Sequence, residues 1–179
     1  MRERYRTIAR VAKARGRRGE VVTEPVHGLP SLVREGLEVA VVPPELKAPR
    51  WRTVVSVSVS GAGRAGRLVA LSGVDDVSSA ERLVGRFLLA RERDLPEDLA
   101  LHDPERLVGR EVVGEGDGRR ARIREVMSGP ANDVWVLDVE GDEVLVPVVD
   151  EVVSAVPDEG PIPIRVPRGL GWPGEGGSL

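Results

Sequence analysis

The chain has 179 residues, room for one large domain or two small ones, and 41% hydrophobic with 31% charged residues describes a chain with a core rather than a disordered one. It has no cysteine and two histidines, His27 and His102. Disulfide frameworks, thiolate chemistry and cysteine-rich zinc sites are excluded, and little is left for a histidine-built metal or catalytic centre.

The net charge of −3 is unevenly divided. Residues 1–93 hold 18 basic and 10 acidic side chains and residues 94–179 hold 8 and 19, so the two stretches carry +8 and −11. A basic half suits nucleic acid and an acidic half suits a basic protein, unless both are merely solvated faces. No apolar run approaches the roughly 18 residues of a membrane span. The N-terminal MRERYRTIAR lacks the apolar region and cleavage site of a secretory signal, so a cytoplasmic location away from membranes is expected.

In chain order, 6–15, 20–26, 37–42, 51–60, 67–74 and 87–91 read as strands. The alternation Val55-Ser56-Val57-Ser58-Val59-Ser60 predicts a half-buried antiparallel strand, with valine on one face and serine on the other. Six such strands suit a small closed barrel. A turn is expected around Pro30–Glu35, ending at Gly36. A helix is expected over 80–84, capped by Ser78 or Ser79 and stopped by Gly85.

The polar stretch 92–98 lies at the charge reversal and contains Pro96, which marks a linker. A second set of strands follows at 111–113, 120–127, 134–139, 144–149, 152–156 and 162–166, separated by turn residues at 116–118, 129–133 and 141–142. The Gly-rich stretch 171–178 has little to bury and reads as a flexible tail. The hexapeptide Glu-Arg-Leu-Val-Gly-Arg occurs at 81–86 and 105–110, each time before a predicted strand, and reads as one local device used twice: a helical turn stopped by glycine.

Several motifs, in order along nearly the whole chain, resemble the RimM family. Residues 8–21 are similar to its opening strand, glycine loop and Gly-Glu-Val restart, and 73–86 to its acidic turn, Ala-Glu helix and glycine stop. Leu107-Val108-Gly109-Arg110-Glu111-Val112 resembles the start of a PRC-type barrel. Ser128 to Val136 resembles its Gly-x-x-Asn-Asp turn, and Val144 to Val153 its Ile-Pro strand and acidic bend. Val166-Pro167-Arg168-Gly169-Leu170 resembles the closing Pro-x-Gly-Leu. The chain departs from the pattern near Ala9, where a glycine is usual, and at Ala14-Arg15, where Pro-His is usual. Members often carry two adjacent aromatics, associated with subunit binding, where the linker enters the second barrel; the nearest match here is Leu101-His102, with a slightly different spacing to Leu107.

The resemblance implies a mainly all-β fold: two small antiparallel β-barrels joined by a short linker, with one or two short helices. The first barrel would span 1–92, the linker 93–101, the PRC-type barrel 102–170 and the flexible tail 171–179. It also implies a monomeric assembly factor for the head of the small ribosomal subunit. Such a factor binds ribosomal protein S-nineteen and the immature subunit with its rRNA, and assists 16S rRNA maturation.

The residues themselves offer no nucleophile–base–orienter frame and no phosphate-binding glycine motif, so no enzyme, cofactor or metal site is expected. The oxygen cluster Asp138, Glu140, Asp142, Glu143 is an ordinary hairpin turn. Arg15-Gly16-Arg17-Arg18-Gly19 puts three guanidinium groups on a turn suited to phosphate contact. Aromatics are only 3% of the chain, so the expected RNA contact is to backbone, with little base stacking. With the resemblance, ribosomal-protein contact is expected at Leu101, His102, Asn132, Asp133, Trp135, Pro147, Val149 and Asp150. Trp135 is either a core residue or an exposed anchor, with core favoured. A stand-alone RNA-binding barrel protein is the alternative.

Overall fold

β-Branched residues at alternate positions favour strands along most of the chain, and the computed structural model arranges them in two sheets. It describes residues 3–61, 66–129, 131–166, 169 and 172. The chain divides into Met1–Glu97 and Asp98–Leu179, a break inside the expected linker. That stretch is not extended: it coils into 3-10 turns at Glu92–Asp94 and Glu97–Leu101.

In the first unit, β1 (Tyr5–Arg15), β2 (Glu20–Pro25), β3 (Glu38–Val42), β4 (Trp51–Val59), β5 (Arg67–Leu71) and β6 (Phe87–Arg91) close in the order β1-β2-β5-β4-β3-β6. β1 makes closure possible by serving two neighbours. Tyr5–Arg10 pair with β6 and Ala9–Arg15 with β2, with register shifts between Thr7 and Ala9 and between Val11 and Lys13. Such bulges add twist where a small barrel must turn its corner. Ile8, Val11, Val21, Val39, Val54, Val69 and Leu88 fill the interior.

The valine–serine alternation of β4 does not sort by face as the sequence reading has it. A register shift between Val54 and Ser56 inserts one residue, so Val54 and Val57 oppose Leu71 and Val69. Val55 and Val59 are exposed while Ser60 is buried. Strict alternation holds only where no bulge intervenes.

Helix α1 (Val77–Glu81) is capped by Asp76 rather than by either serine. The Asp76 carboxylate accepts from the Ser79 amide at 2.8 Å and from the Ser79 hydroxyl at 3.0 Å. A carboxylate there satisfies a free helix N–H and suits the helix dipole. These hydrogen bonds hold the Asp76 pKa below its ordinary value.

The second unit contains α2 (Pro104–Leu107), β7 (Glu111–Gly114), β8 (Arg120–Met127), β9 (Val134–Val139), β10 (Asp142–Pro147) and β11 (Ile162–Ile164), in sheet order β10-β9-β8-β7-β11. Three pairs are antiparallel, but β11 runs parallel to β7. Glu140 and Gly141 both have positive φ. This two-residue turn suits the twist of a hairpin and starts β10 at Asp142, two residues before the expected start.

The strand expected over 152–156 is absent. The Val152 and Val153 amides both donate to Val149 O, so the chain turns there, with both valines buried. The repeated hexapeptide is one device, as read. Leu83 and Leu107 are fully buried, and Gly85 and Gly109 have positive φ. The two glycine amides bond to a neighbouring strand, at Val11 O and Ile123 O.

The tail expectation fails at Trp172, which is 2% exposed, packs in the core of the second unit and donates from Nε1 to Asp117 Oδ2 at 3.1 Å. An indole has too much apolar surface to leave in water when a cavity is available. Residues 171 and 173–179 lie outside the described residues, as do Pro167, Arg168 and Leu170 of the closing motif.

Candidate functional site

Two sets of side chains suit binding, one in each unit. In the first, the β1–β2 hairpin closes with Arg15 opposite Glu20. Gly16 and Gly19 have φ of 73° and 80°, conformations that cost a side chain. At Gly19 there is no space either, because a Cβ would lie 2.8 Å from the Asp76 amide nitrogen. The turn is therefore pinned against the segment that starts α1. Arg15, Gly16, Arg17 and Arg18 are exposed while Gly19 is buried. Among the described residues Arg15, Arg17 and Arg18 form no ion pair, so their guanidinium groups are available to an anion.

In the second unit the sequence-assigned residues converge at the start of β9. Trp135 is fully buried, and its indole Nε1 donates to Leu101 O at 3.1 Å. The core alternative is the one realised, with the polar edge of the ring fastening the incoming chain. His102 Nδ1 and Asp133 Oδ2 are 2.7 Å apart, and Asp98 Oδ2 is 3.9 Å from His102 Nε2. Asp133 O accepts from Val148 N at 2.8 Å. Pro147 opposes Val134 in the β9–β10 register. Val149 packs on the core while Asp150 is exposed. Asn132 is exposed, on a turn so tight that a Cβ at Gly129 would collide with its carbonyl oxygen.

Leu101, His102, Asp133 and Trp135 thus form one joint, and Pro147, Val149 and Asp150 lie where β10 leaves it. Asn132 is adjacent but makes no described bond to it.

Sequence reasoning missed two contributors. Asp103 is a nearly fully buried carboxylate that caps α2, accepting from the Glu105 amide at 3.1 Å. The Asp-Pro dipeptide before a helical turn was its signal. Asp117, bonded to the Trp172 indole and to the Arg119 amide, was legible only as a turn residue.

Among the described residues no three His, Asp or Glu side chains converge as metal ligands, and no helix is long and apolar enough to cross a membrane.

Residues 6–95 match the RimM N-terminal domain model. The chain is 34% identical over 151 residues to the ribosome maturation factor RimM of Cutibacterium acnes, covering 83% of this chain and 81% of that one. It is 35% identical over 166 residues to that of Chlorobium luteolum, covering 88% and 92%. A crystal structure of a RimM protein from Pseudomonas aeruginosa aligns with a TM-score of 0.42 at 20% identity, over 92% of this chain and 98% of that one.

Proposed function

The chain belongs to the RimM family of ribosome maturation factors, and on that premise we propose that it assembles the head of the small ribosomal subunit by binding, without catalysing any bond change. The second unit holds ribosomal protein S-nineteen before that protein is fully seated, and the first lies against nearby rRNA. The factor stabilises an assembly intermediate more than the mature particle and leaves when mature contacts replace its own. Trimming of 16S rRNA is then promoted indirectly, as an end becomes accessible to nucleases. The protein acts as a monomer in the cytoplasm.

The observation that carries this reading is the joint at β9 in a segment of charge −11. Acidic residues speed encounter with a cationic ribosomal protein, and fixed apolar groups beside them prolong the complex. Leu101-His102 is the nearest match to the family's aromatic pair, and here the Trp135 indole on β9 holds it through the bond to Leu101 O.

The test uses the full-length chain. It captures immature small subunits from growing cells and binds purified S-nineteen, and Asp133→Ala weakens S-nineteen binding while leaving RNA binding intact. Were the chain to ignore S-nineteen and immature subunits and bind RNA alone, the alternative of a stand-alone RNA-binding barrel protein would replace this reading.

A further inference from the structure

The chain has few aromatic rings: three Trp, one Tyr and one Phe. Trp135 and Trp172 are buried in the second unit. The other three, Tyr5, Trp51 and Phe87, gather on the outer wall of the first barrel. On β6, Leu88 and Ala90 are fully buried, so alternation turns Phe87, Leu89 and Arg91 outward. The register then sets Tyr5 opposite Arg91, Arg10 opposite Phe87, and Ala40 between Leu89 and Trp51. The Tyr5 and Trp51 ring centroids are 5.9 Å apart with a 41° tilt. The Arg91 guanidinium carbon lies 3.9 Å from the Trp51 centroid, and Arg91 Nη1 donates to Glu38 Oε2 at 2.7 Å.

This wall is incompletely covered, with Tyr5 49% and Phe87 37% exposed. It continues into cations. Arg10, Lys13 and Arg15 follow along the exposed side of β1 towards Arg17 and Arg18. None of these five forms an ion pair among the described residues. At about 3.3 Å per residue the track is roughly 35 Å long.

We propose that this wall is a binding site for single-stranded RNA, in which unpaired bases stack on Tyr5 and Phe87 while the phosphates follow Arg10, Lys13 and Arg15. It rests on reading the first unit as the RNA-facing one. A polyanion is favoured over a protein because the exposed charges of β1 next to the rings, Arg10, Lys13 and Arg15, outnumber the carboxylates opposite them on β2, Glu24 and Glu20, and residues 1–93 carry +8. A single strand is favoured over a duplex because only a base outside a helix can lay its face on a ring. The Arg91–Trp51 stack braces the Tyr5 side of the platform, so less side-chain freedom remains to be lost there on binding.

The test titrates the full-length protein with a short oligouridylate and with duplex RNA of equal length. Tryptophan emission is followed, since Trp51 is the tryptophan outside the second unit's core. The single strand changes the emission, and the change is absent in Trp51→Phe. Tyr5→Ala and Phe87→Ala each weaken binding about five- to a hundred-fold at unchanged salt dependence. Phe87→Leu keeps the apolar bulk and weakens binding too, which separates stacking from folding. Arg10→Ala reduces the slope of log K against log salt by about 0.7.

Wild-type affinity in Tyr5→Ala and Phe87→Leu, equal binding of the duplex, or a protein captured through Phe87 in place of RNA would each overturn the proposal. Association with immature small subunits is measured on the same variants. If it persists in the wild type while oligouridylate fails to bind, only the RNA site falls. If the wild type associates with neither, the assembly reading falls as well.

Discussion

Removal of the Glu45 carboxylate tests how the first unit holds its β3–β4 loop. Arg52 lies on β4 with its side chain 6% exposed. It donates to Ser72 O at 2.8 Å and to Glu45 Oε2 at 3.0 Å, and its Nε has no partner among the described residues. Glu45, 10% exposed, also accepts from Arg82 Nε on the far side of α1 at 3.2 Å. Glu45→Ala therefore strands a buried guanidinium with one carbonyl acceptor, a loss of about 3–5 kcal/mol. Arg82 is 60% exposed, so its half of the network is worth about 0–1 kcal/mol. In a domain of this size, 3 kcal/mol lowers the melting temperature by about 12 °C or more.

Thermal and urea denaturation of the full chain, following the transition of the first unit, should rank Glu45→Ala well below Arg82→Ala. The double variant Glu45→Ala, Arg52→Leu should recover most of the loss, because no unpaired charge then stays buried. Equal effects of Glu45→Ala and Arg82→Ala, or a double variant no better than the single, would refute the account.

Trp135→Phe keeps a ring in the core but removes the donor to Leu101 O; it should cost the second unit about 1 kcal/mol, against about 3–5 kcal/mol for Trp135→Ala, both read from denaturant midpoints. Trp172→Ala should destabilise that unit by about 3–5 kcal/mol and leave the transition of the first unit unchanged; a flexible tail would show no loss. Asp76 has a depressed pKa in the folded chain, chiefly through the Ser79 amide, with the Ser79 hydroxyl next. Its contribution is fully present above the ordinary value of 3.8 and lost as pH falls through the folded value. Asp76→Asn keeps a capping acceptor without titrating, so the first-unit midpoint should vary less with pH below about pH 4 than in the wild type.

The strands of the first barrel were legible to within a few residues because its core positions are β-branched and its turns carry glycine. Bulges were not legible. They leave composition unchanged and only shift which side faces in, and so Val55 and Val59 are exposed although their pattern suggested a uniform valine face. The parallel pairing of β11 depends on where a long connection returns, which local sequence does not encode. At the β9 joint the residue types were readable from motifs. The Trp135–Leu101 and His102–Asp133 bonds span 34 and 31 positions and follow only from the fold. The outer aromatic wall was missed for the same reason, since five rings scattered over 179 residues look sparse until three of them share one face.

The position of Trp172 bears on how the protein is made. The first unit has all of its core side chains once translation passes Leu95, so it can fold while the rest of the chain is still being synthesised. The second cannot complete its core until residue 172 has been added, which leaves β7 to β11 without the Trp172 indole for most of that time. A ribosome stalled between these points would carry a finished basic barrel and an acidic partner still unable to close around its tryptophan.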